Sequence, residues 1–167
     1  MPSSNKSMIL NLSGPIDAEM LELLINTCNA MQKEDEITIY FCSNGGDVDI
    51  AVAMIHVINN CSNGKILFVG RNMLYSAALL VYTLIDVQKE VLAATRGMIH
   101  QSTLSVDINE SGTTRDSEQK HLIKMLKKEV STLSKSMIER IKLSKKELKR
   151  YNKGHDVYLS FDTLSNI

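Results

Sequence analysis

The stretch Ile66-Leu67-Phe68-Val69-Gly70-Arg71-Asn72-Met73-Leu74-Tyr75-Ser76-Ala77-Ala78-Leu79-Leu80 decides the fold class. Ile66 to Val69 is a short apolar run with the branched and aromatic residues that suit a strand, and the residues from Gly70 onward break it. From Ser76 to Leu84 the residues are almost all apolar or small, which predicts a helix of the buried kind. A strand followed by a buried helix is the unit from which parallel, helix-covered sheets are built.

The same unit recurs on either side. Met8 to Leu12 reads as a strand stopped by Gly14-Pro15. A helix follows, capped by Asp17, with Met20, Leu24, Cys28 and Met31 at helical spacing. Ile37 to Cys42 is a second strand, broken by Ser43-Asn44-Gly45-Gly46. Val48 to Ile58 reads as a helix apolar nearly all round, hence buried. Lys89 to Ala93 and Met98 to His100 complete a series of short strands. Strands separated by helices predict an α/β fold of repeated β-α-β units.

After His100 the character changes. Ser102 to Arg115 is polar and loop-like. From Asp116 to about Leu143 one helical pattern carries Leu122, Leu126, Val130, Leu133, Met137 and Ile141 along a single stripe. Such a stripe packs on the chain's own core or against another subunit. Ser144 with Glu147 forms a capping box for a short helix. Asp156 to Leu159 returns to strand character. No repeat or low-complexity linker interrupts the chain, so 167 residues are read as one domain, 1–167.

Composition narrows the function. Nineteen Lys and Arg balance nineteen Asp and Glu, which excludes a general nucleic-acid or membrane-surface binder. No apolar run reaches the roughly 18 residues of a membrane span. The first seven residues carry no signal-peptide pattern, and a cytoplasmic protein is expected. The three cysteines, Cys28, Cys42 and Cys61, each lie in an apolar segment, as free thiols of a reducing compartment do. Neither a metal nor a cofactor is expected.

Four places carry possible chemistry. Gly45-Gly46 sits between a strand and a helix, where glycine lets backbone approach a ligand and helix-start amides face developing negative charge. A tight turn explains the pair equally well. Ser76 opens a helix just after a strand, where open α/β sheets place their sites, although serine is also a common helix cap. His100 closes an apolar segment at the mouth of a polar loop. His56 falls within a helix predicted to be buried, His121 on the long amphipathic helix, and His155 in a turn. Asp156 stands at the start of the last strand, as either a turn residue or a carboxylate for an imidazole.

Taken in order, these segments resemble the proteolytic subunit of the Clp protease family over roughly Met8 to Phe161. Ser43-Asn44-Gly45-Gly46-Asp47-Val48 is similar to the family's Gly-Gly turn, and Ser76-Ala77-Ala78-Leu79-Leu80 to its nucleophile helix. Met98-Ile99-His100-Gln101 matches its histidine motif, and His155-Asp156-Val157-Tyr158-Leu159-Ser160 resembles the segment with the triad acid. The resemblance implies a Clp/crotonase-type fold with a projecting handle helix, the handle region spanning about 102–143. It further implies a serine endopeptidase with Ser76 as nucleophile, His100 as base and then acid, Asp156 orienting His100, and the Gly46 and Ala77 amides as the oxyanion hole. Peptides or unfolded proteins would be the substrate, bound as an added strand by the segments after Gly46 and after His100. A homo-oligomer of seven-fold rings, stacked in pairs, is implied as well.

Several positions depart from the family. Asn44 and Ser102 stand where it has proline, and the segment after His100 is longer. Tyr75 replaces a small residue before the nucleophile and is expected to narrow the pocket. Little chain precedes Met8, where the family keeps its axial contact, and the chain ends soon after Ser160. Partnership with an ATP-driven unfoldase is therefore left open. Two other readings compete: a silent scaffold subunit beside an active paralogue, and a crotonase-type acyl-CoA enzyme, which would leave Ser76, His100 and Asp156 without a shared role.

Overall fold

A computed structural model describes residues 6–101 and 116–167. The loop expected at 102–115 lies outside the described residues, as do the side chains of His121, Leu122 and Leu126. The elements run β1 (Ser7–Ser13), α1 (Ala18–Ala30), β2 (Glu36–Ser43), α2 (Val48–Asn60), β3 (Lys65–Tyr75), α3 (Ala77–Leu84), β4 (Gln88–Val91) and β5 (Arg96–Ile99). They continue with α4 (Asp116–Ile141), α5 (Lys145–Asn152), β6 (Val157–Leu159) and α6 (Phe161–Leu164). The fold is α/β. Its sheet has the order β1-β2-β3-β5-β6, and β4 pairs with β3 below β5.

β3 organises the sheet. Its first half, Leu67 to Gly70, pairs with β4, and its end, Met73 to Tyr75, pairs with β5. Sequence reading ends this strand at Val69. Instead a bulge lets it continue: the register with β2 shifts between Phe41 and Ser43, and Asn72 takes up a positive φ of 58°. Glycine and asparagine in the break thus bend the strand rather than stop it.

The final strand departs from the parallel pairing of the others. β6 is antiparallel to β5, with Ile99 opposite Val157 and Gly97 opposite Leu159.

Of the two helices read as buried, α3 is so and α2 is only partly so. Every residue of α3 is buried, with β3 beneath and α2 and α4 beside it. α2 buries only Ala51, Met54, Ile55 and Ile58 and leaves His56 exposed, with no further layer over its outer side among the described residues. The core joins sheet and helix through Phe41, Phe68 and Tyr82, with ring centroids 5.2 Å and 6.4 Å apart. α4 adds Met137 and Ile141.

The far end of α3 is held by charge. Its last carbonyls have no intrahelical donors, and the helix dipole there is negative. Arg140 of α4 donates to the Thr83 carbonyl at 3.0 Å and to Asp86 at 2.9 Å. Lys89 donates to the Tyr82 and Thr83 carbonyls at 3.3 and 3.5 Å. Burial, followed by the neighbouring Arg140, pulls the Lys89 ammonium below its usual value, with Asp86 opposing.

All three cysteines are free thiols, and only Cys28 is fully buried. Burial, then the adjacent Cys61, pushes the Cys28 thiol up to about 12; burial, then Glu90, does the same to Tyr82. A thiol with a raised folded pKa holds its proton while the unfolded chain loses it. Stability is therefore full below about pH 8.5 and falls as pH climbs towards about 12. Urea unfolding at several alkaline pH values should show this decline, and Cys28→Val should make it shallower.

Candidate active site

Ser76 sits at the turn between β3 and α3 with φ 55° and ψ −122°. A side chain in that region costs on the order of 1–3 kcal/mol, so the surroundings must impose it. The Ser76 N–H donates to the Met98 carbonyl at 2.8 Å, and the Ser76 carbonyl accepts from Leu79 and Leu80 at 3.0 and 3.3 Å. The serine is thus tied to β5 on one side and to α3 on the other. Its hydroxyl makes no helix-capping bond. It lies 2.8 Å from His100 Nε2 instead.

His100 follows β5 directly, and its ring is half-buried. Nδ1 lies 2.9 Å from the Gln101 carbonyl oxygen. A carbonyl can only accept, so Nδ1 carries the hydrogen and donates it. In the neutral ring Nε2 is then the bare nitrogen, and the Ser76 hydroxyl donates to it. This is the tautomer a general base needs.

Asp156 is exposed and just precedes β6. Carried one residue beyond Ile99 and Val157, the antiparallel register sets it across from His100. No hydrogen bond joins its carboxylate to the ring among the described residues, and its carbonyl accepts from Arg150 at 3.4 Å. Ser76 and His100 are in contact; Asp156 holds the register position across from His100.

The Gly45-Gly46 turn lies against the start of α3. A Cβ on Gly45 would stand 2.8 Å from Ser76 Cβ, 2.9 Å from the Tyr75 oxygen and 3.3 Å from Ala77 N. One on Gly46 would strike the Ile16 carbonyl oxygen, at 2.3 Å. Both glycines have positive φ, 102° and 151°. Buried Ser43 accepts from the Gly45 N–H at 3.0 Å, while the Gly45 carbonyl accepts from Ile16 at 2.9 Å. Ala77 is the first residue of α3, so its N–H has no intrahelical acceptor. Among the described residues the Gly46 N–H has none either. Two unused donors therefore flank the serine turn.

A cleft opens beside the pair. Val48, Leu80 and Ile99 wall one side, and Val130, Leu133, Ser134 and Met137 of α4 the other. Tyr75 is not among its lining residues. Its ring turns to Tyr158, edge to face, with centroids 6.3 Å apart, so the narrowing expected from a large residue there is not seen.

A glycine turn whose Gly46 amide has no acceptor among the described residues, a serine on a strained strand-to-helix turn and a histidine in the base tautomer occur here in the chain order noted above. The family model of Clp protease matches residues 3–156. The chain belongs to the Clp protease family. No curated protein matches it. The family is one of peptidases, which hydrolyse peptide bonds and typically work as self-compartmentalised oligomers. Within the described residues no helix is long and apolar enough to cross a membrane.

Three features of this Clp protease site escape sequence reading. The Gln101 carbonyl on His100 is a backbone contact, which no residue type announces. The Tyr75–Tyr158 contact needs the strand order, although Tyr75 is signalled by its departure from the family. The α4 wall of the cleft needs tertiary packing.

Gly45→Ala should be disruptive out of proportion to its size. The alanine meets both a positive φ and a serine 2.8 Å away. A loss of at least about 1–3 kcal/mol is expected in urea unfolding. Asn44→Ala, at the exposed neighbour, should cost far less.

Proposed function

We propose that this chain is a serine endopeptidase with Ser76 as nucleophile, His100 as general base and then acid, and Asp156 as the carboxylate behind His100. The observation that carries the reading is the 2.8 Å contact between Ser76 Oγ and an Nε2 left bare by the Nδ1–H bond to Gln101. A serine hydroxyl attacks poorly until a base takes its proton. Ser76 Oγ attacks the substrate carbonyl carbon as Nε2 takes that proton. The charge that develops on oxygen is met by the Gly46 and Ala77 amides. Collapse expels the amine, which receives the proton from His100. Water then attacks the acyl-enzyme by the same route and frees Ser76.

The neutral Gln101 carbonyl fixes the tautomer but offers no charge to the imidazolium. Asp156 supplies that charge once it swings onto Nδ1, and apo triads are often loose before substrate binds. The cleft receives the side chain preceding the scissile bond. Its apolar walls favour leucine or methionine there over aspartate, since a charge buried without a partner is costly. Copies assemble into seven-fold rings stacked in pairs, with α4 as the handle between them, in line with the family's habit of assembly. Short peptides need no unfoldase. A silent scaffold subunit is the second reading, favoured by one observation: His100 meets a carbonyl rather than a carboxylate.

A fluorophosphonate probe tests the chemistry. It should label Ser76 alone, and His100→Ala should abolish labelling. Ser76→Ala, His100→Ala and the double variant should be about equally inactive, because triad members act as a unit. Asp156→Asn should lose turnover by less than the roughly 10⁴-fold typical where the aspartate alone sets the tautomer. An assembled wild-type chain that takes no label with peptide present would leave the scaffold reading.

Peptide series read the cleft. Leucine before the scissile bond should be cleaved at least about 10-fold faster than aspartate. Leu133→Asp should reduce that ratio while leaving probe labelling intact.

A further inference from the structure

The balanced charge of the chain conceals an uneven distribution. Residues 142–153 hold six cations, Lys142, Lys145, Lys146, Lys149, Arg150 and Lys153, against one carboxylate, Glu147. Glu147 is held in the capping box of α5, where its carboxylate accepts from the Ser144 N–H. All six cations are exposed, and none takes part in the ion pairs among the described residues. At the other extreme, residues 17–36 hold six carboxylates and one lysine, Lys33. Asp35 is buried, accepting from the Lys6 and Gln32 amides, and Glu36 pairs with Lys65. That leaves Glu19, Glu22 and Glu34 exposed and Asp17 half-exposed.

The two regions lie towards opposite edges of the sheet. β1 is one edge strand, and α1 follows it; β6 is the other, and α5 precedes it and packs on it. A basic surface at one edge and an acidic surface at the other cannot meet within one molecule. They can meet between neighbours related by rotation in a head-to-tail contact, which closes into a ring when the rotation closes.

We propose that copies of this chain join head to tail through charge, the basic face of α5 on one copy seating against the acidic face of α1 on the next. This deepens the assembly reading above and rests on it. The occupant of the α5 face is a second copy because the matching surface stands on the same chain. Opposed surfaces of this kind steer encounter and fix orientation more than they add affinity. Their attraction is also screened beyond about 10 Å at ordinary salt.

Sedimentation and light scattering of the purified full chain at low and high salt test the proposal. Half-assembly should need at least about 10-fold more protein at roughly 0.5 M salt than at roughly 0.05 M. Lys145→Glu/Lys146→Glu/Lys149→Glu should be impaired at low salt, and so should Glu19→Lys/Glu22→Lys/Glu34→Lys. One chain carrying both sets has its polarity reversed but its match restored, and should assemble again. Far-UV circular dichroism of each variant excludes misfolding as the cause, and rescue by the combined chain does so independently. Wild type that assembles regardless of salt, with variants that assemble equally well, overturns the interface and leaves ring assembly standing. A monomer under all conditions overturns both. A polyanion such as heparin binding the α5 face of a chain whose assembly ignores the reversals also overturns the proposal. Fluorophosphonate labelling of the same samples reports the Ser76 chemistry separately.

Discussion

At Gly45 the chain passes so near Ser76 that one added carbon would stand 2.8 Å from the serine Cβ. That approach depends on the rest of the local structure. It requires the positive φ of 102°, which Ser43 and Ile16 hold through hydrogen bonds to either side of the glycine. It places the glycine turn beside the first amides of α3. It also forces Ser76 to turn away from β2, and the bond from its N–H to Met98 holds it towards β5 and the histidine. A side chain larger than hydrogen at position 45 would part the donors from the serine.

The electrostatics of the pair are arranged in two steps. In the structure a carbonyl dipole sets the histidine tautomer, so the serine proton already points at a base. A dipole cannot balance a full positive charge, and Asp156 stands across from His100 in the register of β5 and β6. β6, which follows Asp156, is only three residues long and lies at a sheet edge. Its Val157 and Leu159 stay buried while Tyr158 faces solvent.

Much of this was legible in the sequence, for physical reasons. Apolar periodicity gave the position of nearly every helix and strand, since burial selects the same residues that periodicity displays. Asp17 caps α1 and Ser144 with Glu147 caps α5, as short-range chemistry can announce. What periodicity could not tell was how far β3 runs, because Gly70 and Asn72 mark a bulge as readily as an end. It could not separate α2 from α3 either. Both are apolar, and only the layers around them decide which is covered on all sides. The antiparallel sense of β6 depended on where the chain re-enters the sheet, which is a property of topology. At the site, the order of motifs that resembles the family pointed to Ser76 and His100, while their 2.8 Å contact and the bond to Gln101 belong to the folded backbone.

α3 has two ends with separate duties. One begins at Ser76; the other is fastened by Arg140 to α4 and by Lys89 to β4. The cleft wall on α4, from Val130 to Met137, hangs from that second fastening and not from the serine turn. The serine turn and the cleft wall are therefore built on different supports. Residues facing the cleft from α4 can be exchanged through a lineage, widening or reshaping the cleft, while the strained turn at Ser76 passes through unaltered.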